Sequence, residues 1–249
     1  MRRFAVCMLC CVLLSLFSCL AFTEAAEDVL AYDRPLLVNK DYPVSEDFVP
    51  ANLVFLCDVL DPSICRLKNN DKGMQAVREA ALALETMLEA AKADGIVNWQ
   101  VGTAYRTYKQ QNTILENRIA QYRKNNNWSR SKAKSAALRT VAEPGCSEHQ
   151  LGLAFDMNVH GKSFKGTKQC TWLHEHCWEY GFIIRYQEGK ESITGFTAEA
   201  WHIRYVGVEH SLYMRDYGLC LEEYLEAFPE PSDQDFLVED VPLEELLGA

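Results

Sequence analysis

The sequence predicts an α+β fold, a single domain with N-terminal helices packed on a small antiparallel sheet. Helical periodicity concentrates in the first half of the chain, whereas short β-type runs punctuated by turn residues fill the second half. There is no regular strand–helix alternation of the kind that builds a parallel sheet. Length agrees: 249 residues, less an N-terminal leader, make one well-buried domain and are short for two.

Residues 74–93 form the clearest expected helix. Val77, Ala81, Leu84, Leu88 and Ala91 recur at three- and four-residue steps, and Gly95 lies just past the end, so this is a core helix. Residues 97–105 read as a strand leading into Arg106. Residues 110–122 read as a second helix that fades into the basic, Asn-rich stretch 123–134, expected as a surface loop or lid. A strand is expected at 152–157 and a helix at 172–180, closed by Gly181. Short strands follow at 182–186, 193–196 and 201–206, then a last helix at 219–228.

The chain divides into residues 1–26, an extended arm at 27–50 interrupted by Pro35, Pro43 and Pro50, a domain at 51–228, and an acidic tail at 229–249. Arg2 and Arg3 precede a 19-residue apolar run and a small-residue site near Ala25 and Ala26, the pattern of a signal peptide. Export to the periplasm or cell envelope is therefore expected. A retained membrane anchor or a lipoprotein site at Cys19 is the alternative, and either would associate the protein with the membrane. Six cysteines lie beyond the leader, and an even number in an exported domain suggests disulfides. Cys57/Cys65, Cys170/Cys177 and Cys146/Cys220 are the simplest pairs, with buried thiols as the alternative.

A net charge of −10, from 35 acidic and 25 basic residues, argues against a nucleic-acid partner, which calls for a basic surface. Ten of the acidic residues fall between Glu222 and the C-terminus, with no Lys or Arg among them.

Six histidines are present, none in a His-Glu-x-x-His pair. His149 and Asp156 stand close together, and Glu199 and His202 lie far along the chain. Two imidazoles and one carboxylate match the three-ligand set of a catalytic zinc with one open position. Glu199 would then be a non-ligating carboxylate for proton transfer. Spacing alone does not establish such a set. His174 and His176 beside Cys170 and Cys177 do not match a standard zinc spacing. Ser147 sits in neither a Gly-x-Ser-x-Gly elbow nor a Ser-x-x-Lys element, so a serine nucleophile has no support.

The segments around these residues resemble the VanY-type D-alanyl-D-alanine carboxypeptidase family, zinc peptidases of the hedgehog/DD-peptidase fold. SEHQLGLAFD at 147–156 matches every fixed place of the family's Ser-x-His-x-x-Gly-x-Ala-x-Asp signature. YGFIIRYQEGKESITGFTAEAWHIRYVG at 180–207 is similar to its second block, Tyr105-Arg106-Thr107 to its Tyr-Arg-Ser/Thr element, and LLVNKDYP at 36–43 to its opening. Ala200 stands where the family usually has Pro, and Leu151 where Thr is common. The resemblance implies one catalytic zinc held by His149, Asp156 and His202, with Glu199 as the general base. It also implies Arg106 and Ser147 as the grip on a terminal carboxylate, and Gln111 as a residue ordering that loop. The implied reaction removes a C-terminal D-Ala from peptidoglycan stem peptides. An L,D-carboxypeptidase acting on tetrapeptide stems and a non-catalytic wall-peptide-binding module are the alternatives.

Overall fold

In the computed structural model, residues 34–229 are described, except 160 and 162. The leader, most of the acidic tail and His160 lie outside them. Residues Pro35–Tyr224 form one compact unit. Its centre is a five-stranded sheet ordered β2-β4-β5-β7-β6, built from β2 (Cys65–Leu67), β4 (Trp99–Thr103), β5 (Ala154–Val159), β7 (His202–Tyr205) and β6 (Phe182–Ile184). The β2–β4 pair is parallel and the other pairs are antiparallel, so the sheet is mixed, not purely antiparallel as expected. A separate two-stranded ribbon pairs β1 (Leu53–Phe55) with β3 (Gln75–Val77).

Helices occur throughout the described residues, which corrects the expectation that they precede the sheet. They are α1 (Arg78–Ala93), α2 (Tyr108–Asn126), α3 (Arg130–Ala137), α4 (Lys168–His176), α5 (Glu191–Thr194), α6 (Val208–Tyr217) and α7 (Leu221–Ala227). Helix α1 starts four residues later than its apolar period suggests. Gln75–Val77 pair with β1, and the Val77 N–H donates to Gly152 O (2.9 Å), so tertiary pairing removes the first turn.

The Asn-rich stretch expected as a loop is mostly helical. Thr107 and Gln110 form a capping box that starts α2, Asn127 ends it in the left-handed conformation, and Ser129 caps α3 by accepting from the Lys132 N–H. Two helices joined by three residues bury one another's apolar stripes. The run 193–196 holds the end of the short helix α5 rather than a strand.

The main core lies between α1 and one face of the sheet. Leu84, Met87 and Leu88 from the helix meet Trp99, Val101, Phe155, Met157 and Ile203 from the strands. Side chains alternate across a strand, so this packing fixes which residues point to the opposite face. Phe155 and Met157 face α1 and send Asp156 the other way. Ile203 faces α1 and sends His202 and Arg204 the other way. A second, smaller core joins α2 to α3 through Leu115, Ile119, Ala133, Ala137 and Val141.

The six cysteines beyond the leader are free thiols, which overturns the expected disulfides. Cys57 is exposed, with its sulfur near Lys72 O (3.6 Å), whereas Cys65 is buried on β2. Cys177 is wholly buried in the main core. Cys65, Cys170 and Cys177 pack as thiols in the main core and Cys220 is also buried, which matches the buried-thiol alternative for these four.

Candidate active site

Asp156 and His202 are directly opposite one another in the antiparallel β5–β7 pair, so their side chains emerge side by side. His149 comes from the single 3₁₀ turn Glu148–Leu151 that precedes β5. Gly152 ends that turn at φ +69°, and a Cβ there would come within 3.1 Å of Leu53 and Val77. The turn is tied to the sequence before α2 because the Arg106 N–H donates to His149 O (3.1 Å).

Nε2 of His149 lies 3.5 Å from Oδ1 of Asp156, and Nδ1 of His202 lies 3.1 Å from the same oxygen. One ligand atom from each residue falls within 4.8 Å of the others, and this is the one such cluster among the described residues. Nδ1–H of His149 donates to Ala104 O at 2.7 Å, which leaves the lone pair on Nε2 facing the cluster. That Nε2 is buried and has no protein partner. Two imidazole nitrogens and a carboxylate with an orphaned buried lone pair suit zinc. His149, Asp156 and His202 thus form a metal-binding triad for a single catalytic zinc.

Protonation follows from burial and charge. Burial, with Arg106 beside it, pulls His149 down to about 4, so it is the neutral, metal-binding form near neutral pH. Burial alone would lower His202, but the Asp156 and Glu148 carboxylates outweigh it and push the group up to about 9. A bound metal would displace that proton. Burial would raise Asp156, yet the two histidines hold it well below the usual carboxylate range.

These groups line a cavity of about 350 Å³ together with Arg106, Ser147, Gln111, Glu199 and Trp201. All seven site residues expected from sequence therefore lie around one space. Glu199 is 8% exposed, and its Oε2 is 3.9 Å from Nδ1 of His202. Burial, partly countered by His202, pushes it up to about 7. A carboxylate poised there can take up and release a proton near neutral pH. Arg106 makes no ion pair among the described residues, and its Nε is buried without a partner. Gln111 is buried, and its amide donates to Ala142 O at 2.7 Å.

Residues absent from the sequence reading also line the cavity. Ile114 and Arg118 come from α2, Val141 and Ala142 from the segment after α3, and Tyr186 and Phe196 from the far side. The rings of the last two stack at 4.7 Å. Their signal in the sequence was weak, because helix periodicity places Ile114 on a stripe without saying what that stripe faces. Glu148 was quoted only as a variable place in a motif. It is fully buried and accepts from Arg185 Nε (2.7 Å) and Arg204 Nη1 (2.9 Å). An available signal was that both arginines interrupt apolar strand runs, which calls for a buried carboxylate.

Comparison with known proteins agrees with this geometry. The family model described as VanY, D-alanyl-D-alanine carboxypeptidase, matches residues 74–208. A D-alanyl-D-alanine carboxypeptidase of Enterococcus faecalis is 44% identical over 142 residues, 57% of this chain and 52% of its own length. The chain thus spans about half the length of that curated relative. The VanY D,D-pentapeptidase of a VanB-type vancomycin-resistance cassette, solved with Zn(II), is 37% identical with a TM-score of 0.65, covering 76% of this chain and 97% of that one. The LD-carboxypeptidase LdcB is 34% identical with a TM-score of 0.64, covering 81% and 87%.

Proposed function

This chain belongs to the VanY family of D-alanyl-D-alanine carboxypeptidases, and from that premise we propose that it is a zinc-dependent carboxypeptidase that removes the C-terminal D-Ala from peptidoglycan stem peptides. The observation that carries the reading is the half-buried Arg106, its Nε buried without a hydrogen-bond partner, in the same cavity as the His149, Asp156 and His202 cluster. A cavity-lining guanidinium with no ion pair among the described residues suits an anionic ligand, and a peptide's terminal carboxylate matches it with two parallel hydrogen bonds.

When bound by His149, Asp156 and His202, zinc supplies Lewis acidity, polarising a carbonyl and acidifying water at its open position. Arg106 binds the terminal carboxylate, and the Ser147 hydroxyl donates a further hydrogen bond to it. Glu199 takes a proton from the attacking water and hands it to the departing amine. Gln111, held by Ala142, fixes the wall behind Arg106. Trp201 lines the same cavity and directly precedes His202.

A stem peptide substrate fits an exported protein, and the leader pattern at 1–26 supports delivery to the cell envelope. No helix among the described residues is long and apolar enough to cross a membrane. We read 51–228 as the catalytic domain, with 27–50 as its N-terminal arm and 229–249 as an acidic tail.

The comparable likeness to LdcB favours a second reading, L,D-carboxypeptidase action on tetrapeptide stems. Mass spectrometry of synthetic stems incubated with the zinc-loaded protein distinguishes the two. Loss of D-Ala from a pentapeptide ending D-Ala-D-Ala, slowed at least about 10²-fold in Glu199→Gln, is the expected result. Cleavage of only the tetrapeptide moves the assignment to L,D activity. Cleavage of neither by folded, zinc-bound protein sinks both and leaves the binding-module alternative.

A further inference from the structure

The two imidazoles of the triad are held in different ways. His149 presents Nε2 to the cluster, because its Nδ1–H is engaged by a backbone carbonyl. His202 presents Nδ1 instead, since that atom is the one 3.1 Å from Asp156. For Nδ1 to offer a lone pair to a metal, the ring hydrogen must sit on Nε2, and Nε2 then needs an acceptor. Nε2 of His202 is buried and makes no hydrogen bond. Oε2 of Glu148 lies 3.7 Å from it, itself buried and without a hydrogen-bond partner. Two orphaned atoms, one suited to donate and one to accept, thus face each other behind the cluster.

We propose that Glu148 is a positioning residue for zinc, holding His202 in the Nε2–H tautomer from behind while Nδ1 faces the metal. The inference rests on the zinc reading of the site. Glu148 is built for the task by its own surroundings. Its other oxygen, Oε1, accepts from both Arg185 and Arg204, so the carboxylate cannot turn away from His202 without breaking two charge-assisted hydrogen bonds. Arg185 is in turn clasped by Glu222 through two hydrogen bonds (2.8 and 2.7 Å), and Arg204 Nη2 donates to Leu36 O (2.9 Å). Each arginine is thereby anchored at both ends. The register explains the placement, because Arg204 and His202 share one face of β7 and Glu148 directly precedes His149. An outer carboxylate on a ligand histidine fixes ring orientation and raises ligand basicity.

The test measures zinc affinity by chelator competition, and the His202 tautomer by histidine ¹⁵N NMR, in the full chain. Glu148→Gln is compared with Glu222→Gln, which loosens Arg185 but leaves Glu148 facing His202. The expected result is a zinc affinity about 10- to 100-fold weaker in Glu148→Gln, loss of the single Nε2–H tautomer, and near wild-type affinity in Glu222→Gln. Equal losses in both variants would reduce Glu148 to a structural ion-pair member and overturn the proposal, as would unchanged affinity in Glu148→Gln. If Glu148→Gln does not fold, the wild-type spectrum decides alone: an Nδ1–H tautomer of His202 in the zinc-loaded protein overturns it. Failure of wild type to bind zinc at all would instead strike the underlying reading of the site.

Discussion

The active-site cavity has two unlike walls. One is the sheet wall, where β5, β7 and the turn 148–151 supply His149, Asp156 and His202. The other is the α2–α3 hairpin with the segment after it, which supplies Gln111, Ile114, Arg118, Val141 and Ala142. The sheet wall rests on the main core, with Phe155, Met157 and Ile203 fully buried directly behind the ligand residues. The hairpin rests on its own small core of five buried residues. Groups that must meet within tenths of an ångström are carried by strands in fixed register. The opposite wall is carried by a helical hairpin packed on its own core, so its stability is expected to be partly independent of the sheet. Arg106 stands at the seam, between the end of β4 and the start of α2.

The sharpest way to sharpen this contrast is Glu199→Gln, on the sheet side. Activity should fall by about 10²- to 10⁴-fold, the usual share of a general base, with zinc affinity retained in chelator competition. The same substitution should stabilise the metal-free protein. Burial raises Glu199 to about 7, above its usual value. The folded state therefore binds its proton more tightly than the unfolded state does. The associated stability is fully present at acid pH and is lost as pH rises through about 7. Replacing the buried carboxylate by a neutral amide should recover on the order of 2 kcal/mol at pH 8, seen as a raised Tm.

At the seam, Arg106→Ala should lower kcat/KM by about 10²-fold, the equivalent of one or two charge-assisted hydrogen bonds at about 1.5–3 kcal/mol each. An amidated peptide terminus should be insensitive to this change. Equal losses on both substrates would assign Arg106 to structure rather than to carboxylate recognition.

The next effect is pH dependence. Because Glu199 must be deprotonated to accept a proton, kcat/KM should decline as pH falls through its pKa, which a bound zinc ion lowers from the metal-free value of about 7, approaching tenfold per pH unit. That limb should be missing from the residual activity of Glu199→Gln.

The smallest effect on chemistry is expected from Ile119→Ala in the hairpin core, where the side chain is 1% exposed. Truncation should destabilise the hairpin by about 2–5 kcal/mol and raise KM, with hydrogen exchange quickened over α2 and α3. Zinc affinity should not change. A fall in zinc affinity would break the comparison, because the two walls would then share their stability.

How much of this was legible varies from residue to residue. Helix α1 was readable from its apolar period, but its start was not, because β1 and Gly152 recruit residues 75–77 into pairing that no local pattern records. The helix at 110–122 was readable, but the stretch 123–134 was expected as a loop because its Asn and Lys residues disfavour an apolar stripe. The caps at Thr107 and Ser129 are local signals present in the sequence that the reading did not use. The disulfide expectation failed for a different reason, since an even cysteine count says nothing about where the sulfurs point.

What the sequence determined by itself was the chemical inventory and its family. The signature at 147–156 and the Glu199–His202 element fix which residue types are available and their local spacing, and those depend only on covalent order. What the tertiary structure alone decided is the meeting of residues 46 positions apart, as when β5–β7 register sets Asp156 against His202. It also decided which nitrogen of each imidazole faces the cluster and where Arg185 and Arg204 find their carboxylate. Those outcomes follow from packing against a common core, and packing energy belongs to surfaces that the chain creates only once it has folded.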